Sequence, residues 1–242
     1  MTAPVLDTAM VLAAGLGKRM RPITDTIPKP LVKVAGRTLL DWALDGLAET
    51  GVTRAVVNVH YFPEQIVAHV AGRQHPRVAI SDESAELLDS AGGIVKALPL
   101  LGASPFFILN ADTFWIDGAR PNLPALGLAW NPARMDILLM LADMQSATGH
   151  SGKSDFLLGA EGRLQRSKGA PEGLIYAGAA VVHPRIFDGA AVVPQSLNLY
   201  FDRAIEAGRL FGWRLDGHWI TVGTPDAIPA AEAAVKAAWE GR

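Results

Sequence analysis

The chain has 242 residues, room for one large domain or two small ones, and 50% hydrophobic with 19% charged residues is an ordinary globular composition with a sizeable core. With 22 basic against 24 acidic residues the net charge is -2, which removes any general electrostatic attraction to nucleic acid or an anionic membrane, so an anion site has to be local. The sequence contains no cysteine, which excludes disulfides, thiolate nucleophiles and cysteine metal sites.

The first ten residues carry no basic leader, and the apolar run Ala9 to Ala14 is too short for a signal core or a membrane span before Gly15 and Lys18 interrupt it. A cytoplasmic protein is expected. Thr8 to Ala14 reads as a buried strand, and Leu39, Leu40, Ala43, Leu44 and Leu47 repeat at helical spacing until Gly51. Ala55 to Val59 is a second strand, followed by a helix with Pro63 in its first turn and Ile66, Val67 and Val70 on one face. Val78 to Ser81, a helix near Gly93 to Leu98 and Phe106 to Leu109 continue the βαβ rhythm. This order predicts an α/β fold, a Rossmann-like, mostly parallel sheet covered by helices, with ligands beyond the carboxyl ends of its strands. The segments Ala14 to Arg21 and Asn110 to Asp112 then share one mouth.

After Asp136 to Ala142 the chain turns to glycine-punctuated short strands, Ser154 to Leu158, Arg163 to Ser167 and Leu174 to Val182, which predict a smaller antiparallel part. A helix from Leu197 to Ala207, a strand at Leu210 to Leu215 and a terminal helix capped by Thr224 complete the pattern. One domain is expected over 1–242, in two parts, about 7–135 around the parallel strands and about 136–225 around the shorter ones.

The segment Leu12-Ala13-Ala14-Gly15-Leu16-Gly17-Lys18-Arg19-Met20-Arg21-Pro22 puts two glycines directly after a buried strand, where backbone N–H groups can approach a polyphosphate with no Cβ in the way. Lys18, Arg19 and Arg21 add cations. The spacing fits neither a P-loop, which needs Gly-Lys followed by Ser or Thr, nor the dinucleotide fingerprint, whose third glycine is here Met20. Downstream, Pro28-Lys29-Pro30-Leu31 holds one lysine on a loop stiffened by two prolines.

Leu12 to Leu31 closely resembles the signature of sugar-phosphate nucleotidyltransferases, L-A-A-G-x-G-x-R-x-x-P-x-T followed by P-K-P-L, and every fixed position matches, Thr24 included. The resemblance implies a glycosyltransferase-A-like fold and transfer of a nucleoside monophosphate from a triphosphate to a sugar-1-phosphate, with pyrophosphate released. It implies that the loop from Ala13 and Ala14 through Gly15, Gly17 and Lys18 wraps the triphosphate, that Arg19 contacts its phosphates, and that Lys29 lies near the reacting phosphates. Arg19 and Lys29 are the expected catalytic residues.

Asn110-Ala111-Asp112 resembles the family motif N-G-D, which makes Asn110 a nucleotide-side residue and Asp112 a ligand for Mg²⁺, a cation bound through few protein oxygens and the substrate's phosphates. Leu88 to Ile94 resembles the glycine-rich segment whose backbone helps read the base, implying roles for Gly92, Gly93 and the preceding Glu83. His218 to Thr224 resembles W-x-D-V-G-T, but the usual second magnesium-binding aspartate is Thr221. Either Asp112 acts with water and phosphates alone, or another acid such as Asp202 or Asp216 compensates, or activity is reduced. Asp155, Tyr176, Gly178 and, at the end of an apolar strand, Asp143 are the expected sugar-side residues.

Within the family, Lys96 to Gly102 and the His218-Trp219 pair most resemble the bacterial N-acetylmuramic acid-1-phosphate uridylyltransferases of peptidoglycan recycling, which implies UTP. A mannose-1-phosphate guanylyltransferase shares the N-terminal signature, and Thr221 leaves open a non-catalytic nucleotide-sugar sensor. The expected partners are the two small-molecule substrates, with neither nucleic acid nor membrane. No hexapeptide repeat follows the terminal helix, so no attached acyltransferase domain is expected.

Overall fold

The computed structural model describes residues 6–241, so residues 1–5, part of the stretch read as lacking a leader, and residue 242 lie outside the described residues. In chain order the elements are β1 (Thr8–Leu12), a short hairpin of β2 (Lys33–Val34) and β3 (Arg37–Thr38), α1 (Leu39–Glu49), β4 (Arg54–Val59), α2 (Pro63–Val70), β5 (Arg77–Asp82) and α3 (Asp89–Leu101). Next come β6 (Phe106–Asn110), β7 (Thr113–Asp117), α4 (Asn122–Ala129), β8 (Ile137–Ala142), β9 (Ala147–Thr148), β10 (Phe156–Leu158), β11 (Leu164–Arg166) and β12 (Ile175–Val182). The chain closes with α5 (Asn198–Glu206), β13 (Leu210–Arg214), β14 (Gly217–Thr221) and α6 (Ala227–Glu240). No described helix is long and apolar enough to cross a membrane.

Seven strands form the main sheet in the order β13-β8-β12-β6-β1-β4-β5. The pairs β1–β4, β1–β6, β4–β5 and β13–β8 are parallel, and β12 alone runs antiparallel, between β6 and β8. The α/β fold with a mostly parallel sheet is therefore present, and its antiparallel component is one strand inside that sheet together with the β2–β3, β10–β11 and β7–β14 pairs, while β9 joins β14 in parallel. Alternation along the strands sends Ala9, Val11, Phe107 and Leu109 to one face, under α1, α2 and α4, and Met10, Phe106 and Ile108 to the other, under α3 and α5. A third apolar cluster joins Met20, Val32 and Leu39 to Phe114, Ile220 and α6, so the residue that replaces the third fingerprint glycine anchors its loop in a core.

Local chemistry explains several boundaries. Thr38 Oγ1 accepts from Asp41 N at 3.0 Å and caps α1, a contact worth about 1 kcal/mol, and α1 buries Leu40, Ala43, Leu44 and Leu47. On α2, Ile66 and Val70 are buried but Val67 is 43% exposed, because an eight-residue helix on a sheet buries a narrower stripe than the sequence pattern suggested. The terminal helix begins at Ala227 rather than at a Thr224 side-chain cap: residues 224–226 first make a turn in which the Thr224 carbonyl accepts from Ala227 N at 3.1 Å.

The strand β12 carries a bulge between Tyr176 and Ala180 with Gly178 at φ 79°. A Cβ at Gly178 would overlap Thr113 Oγ1 and lie 3.2 Å from Asn110 Cβ, so glycine is needed for both backbone and space. The bulged Ala177 carbonyl accepts from Trp219 Nε1 at 2.9 Å and from Thr113 Oγ1 at 3.2 Å, tying β12 to β14 and β7 at the sheet's mouth.

Candidate active site

The strand β1 ends at Leu12, and the following loop turns back through Gly17 at φ 60°. Thr24 Oγ1 donates to the Gly17 carbonyl at 2.9 Å, and a Cβ on Gly17 would lie 3.0 Å from both Lys29 Cβ and Thr24 Cγ2. Glycine here lets the phosphate loop close onto the proline-flanked segment. Lys29 opens a single 3-10 turn, Lys29–Leu31, held by extended Pro28, and its Nζ donates to Asp112 Oδ2 at 2.7 Å. Asp112 is placed by its neighbours: Ala111 N donates to the Leu12 carbonyl at 3.1 Å and Val222 N to the Asp112 carbonyl at 3.0 Å.

Around this pair lies a cavity of about 490 Å³. Ala13, Ala14, Gly15, Lys29, Asn110 and Asp112 line it, so six of the expected residues meet there as the shared-mouth reading requires. Asp89 and Ser90, from the Leu88–Ile94 segment expected beside the base, line it too, together with Asn58 and Leu87, which the sequence did not single out. Asn58 had a visible signal, a lone amide in the apolar run Ala55 to Val59. Lys18 and Arg19 sit on an exposed single turn outside the enclosed space, with Arg19 Nη1 3.6 Å from where a Cβ on Gly223 would stand.

Three expectations differ. Glu83 is fully buried and does not face the cavity; its Oε1 accepts from Asn58 Nδ2 at 2.7 Å and its Oε2 from Leu88 N at 3.1 Å. Gly92 and Gly93 lie within α3, which starts at Asp89, and neither lines the cavity; a Cβ would overlap the Val193 carbonyl at Gly92 and stand 2.5 Å from Glu83 Oε1 at Gly93. These glycines serve close packing, and the cavity edge is formed one turn earlier.

The sugar-side residues gather around the start of β12 and the end of β8, where Ile175 pairs with Ala142. Asp143 pairs with Arg214, with Arg214 Nε 3.0 Å from Oδ2, and this partner holds the guanidinium above its ordinary value. Asp155 Oδ2 accepts from Tyr176 N at 2.8 Å. The Tyr176 hydroxyl is buried with no hydrogen-bond partner among the described residues, and burial, then the Asp112 charge, pushes its pKa above the ordinary phenol value. Gly178 is the bulge residue described above. None of the four lines the nucleotide cavity.

Among the described residues no three His, Asp or Glu side chains gather as a metal cluster. Asp202 is bound to Arg166 at 2.8 Å and Asp216 accepts from Arg120 N at 3.2 Å. The register Gly217↔Asp117 to Thr221↔Thr113 puts Asp216 at the far end of β14 from Asp112. Asp216 is thereby removed from the position beside Thr221. The remaining donor set, one hard carboxylate with open space beside it, fits Mg²⁺ in the manner of a cation held largely by substrate phosphates and water.

A glycine loop closed onto a stiff lysine, facing an aspartate at the mouth of a mostly parallel sheet, defines a nucleotidyltransferase site. The sequence profile of the MobA-like NTP transferase domain matches residues 9–121. An N-acetylmuramate alpha-1-phosphate uridylyltransferase of Caulobacter vibrioides is 45% identical over 231 residues, covering 93% of this chain and 95% of that protein. One of Neisseria meningitidis is 34% identical, covering 96% and 99%. The inositol-1-phosphate CTP transferase of T. maritima shares the fold, with a TM-score of 0.77 at 20% identity and 96% of each chain covered. The chain belongs to the family of sugar-1-phosphate nucleotidyltransferases that contains these uridylyltransferases, and it is an enzyme of that class.

Proposed function

We propose that the protein transfers UMP from UTP to N-acetylmuramic acid 1-phosphate, releasing pyrophosphate, with Mg²⁺ as cofactor, in cytoplasmic peptidoglycan recycling. The observation that carries this reading is the Lys29–Asp112 pair in a nucleotide-sized cavity, in a chain 45% identical to the Caulobacter protein over most of its length. In the reaction an oxygen of the sugar-1-phosphate attacks the α-phosphorus in line as the α–β bridging bond breaks, and no covalent enzyme intermediate is needed.

The chain's part is positioning and charge. The loop Ala13 to Lys18 holds the triphosphate with backbone N–H groups, Asn110 lines the nucleotide side, and Arg19 and Lys29 neutralise charge that builds on the reacting phosphates. Asp112 holds the metal, which when bound offsets phosphate charge. Tyr176, whose hydroxyl lacks a partner among the described residues, donates to the sugar-phosphate, while Asp155, Asp143 and the Gly178 bulge shape that side.

Pyrophosphate release measured for four nucleoside triphosphates against several sugar-1-phosphates tests the reading. UTP with N-acetylmuramic acid 1-phosphate should be the best combination. Preference for GTP with mannose 1-phosphate would assign a guanylyltransferase, and binding without turnover in every combination would assign a sensor.

A further inference from the structure

We propose that Glu83 is a positioning residue that sets two lining segments of the nucleotide cavity through the orientation of the Asn58 amide. The proposal rests on the nucleotidyltransferase reading and assigns Glu83 an indirect role in place of substrate contact.

Ala13 N can only donate, and Asn58 Oδ1 accepts from it at 2.7 Å, so the amide must present its oxygen to the phosphate loop. Its Nδ2 then faces Glu83 Oε1 at 2.7 Å, and Glu83 Oε2 takes Leu88 N at 3.1 Å, at the start of α3. Both partners of Glu83 are therefore donors. Only a carboxylate, with two acceptor oxygens, satisfies both, and the positive N-terminal end of α3 favours its charge. Asn58 is 2% exposed and Glu83 0% exposed, so neither can exchange a lost partner for bulk water. One side of the relay fixes Ala13, which lines the cavity, and the other fixes Leu88, whose neighbours Leu87 and Asp89 line it as well. Gly93 completes the device: a Cβ there would stand 2.5 Å from Glu83 Oε1 and 2.8 Å from Asn58 Nδ2.

The donor–acceptor pattern can be inverted, which provides the test. In Glu83→Gln one of two donors meets an amide N–H, and in Asn58→Asp two carboxylates face each other. In the double variant the new side-chain amide at position 83 would donate to the new carboxylate at position 58 and still accept from Leu88 N. That carboxylate would still accept from Ala13 N, so every bond is restored, with the polarity of the central one reversed. Full-length wild type, both single variants and the double are compared by steady-state kinetics, varying UTP and N-acetylmuramic acid 1-phosphate separately, with thermal midpoints alongside. We expect each single variant to raise KM for UTP about tenfold, the equivalent of one charge-assisted hydrogen bond, with KM for the sugar-phosphate near the wild-type value. The double variant should return within about threefold of wild type. Single variants with unchanged KM for UTP overturn the proposal, as does a double variant that fails to fold or is no better than the worse single. Single variants that fail to fold while the double folds with a near-normal KM support it. Wild type that is inactive with UTP would instead overturn the substrate reading, and the same comparison is then run with whichever triphosphate the wild type uses.

Discussion

Asp112→Asn should separate binding from turnover, because it removes the charge that holds Lys29 at rest while keeping the cavity's shape. Lys29 Nζ lies 2.7 Å from Asp112 Oδ2, with the lysine side chain 12% and the aspartate 36% exposed. Two unit charges at that separation attract by about 6 kcal/mol at an effective dielectric of about 20. Water reaches the aspartate, however, and pairs of this exposure are worth nearer about 1 kcal/mol once screening and desolvation are counted. A triphosphate that recruits Lys29 has to replace this contact. Without it, metal-free binding of UTP should tighten by about fivefold. Turnover should fall by about 100-fold or more, because the carboxylate assigned to the metal is gone. Isothermal titration with UTP in EDTA reads the first effect and pyrophosphate release with Mg²⁺ reads the second. A misfolded variant cannot bind more tightly, so the opposed signs guard against a trivial loss. Metal-free binding that is unchanged or weaker would refute the competition between Asp112 and phosphate for Lys29, and turnover within threefold of wild type would remove Asp112 from the metal role.

Two further outcomes follow from the site and the fold. Thr221→Asp restores the acid usual in the family beside Asp112, and should lower the Mg²⁺ concentration for half-maximal rate; an unchanged or higher requirement in a Mg²⁺ titration would show that this position lies outside the metal's reach. Burial, then the charge of Arg185, lowers the His183 pKa below the ordinary imidazole value, and its Nδ1 accepts from Arg185 N at 3.2 Å. Its folded pKa is depressed, so the unfolded chain binds the proton first as pH falls below about 6.5. Stability from this group is complete above that pH and declines below it. The thermal midpoint should therefore drop more between pH 7.5 and 5.5 in wild type than in His183→Gln; equal drops would exclude the group.

What could be read from the sequence was what is local. The phosphate loop and the proline-flanked lysine are contiguous motifs, and the end of an apolar strand placed Asp112 at their side, 83 residues from Lys29. The Asn58–Glu83 bond joins residues 25 apart through side chains, and such a bond leaves no periodic trace. Gly92 and Gly93 illustrate a second limit: glycine permits backbone approach by a ligand or by a neighbouring segment, and only the Val193 carbonyl and the Glu83 carboxylate decide between them. The antiparallel direction of β12 was expected, but its place inside the main sheet was hidden, since a buried run such as Ile175–Val182 does not name the strands it pairs with. The missing aspartate at Thr221, by contrast, was plain, but the separation of Asp216 from Asp112 required the strand register.

The position of β12 between β6 and β8 has a consequence for how the protein is made. The four strands β6-β1-β4-β5 can assemble from the first half of the chain, but β6 then ends the sheet with the apolar run Phe106–Leu109 and an unpaired row of backbone groups. Its partner is complete only when Val182 has been synthesised, and β7 waits longer still for β14. Pairings of this sequence separation are slow to close. During translation the nascent chain thus presents a sticky sheet edge for the time taken to add about seventy residues, at roughly 5–20 residues per second, and it is in this interval, more than in the finished enzyme, that aggregation and chaperone capture compete with folding.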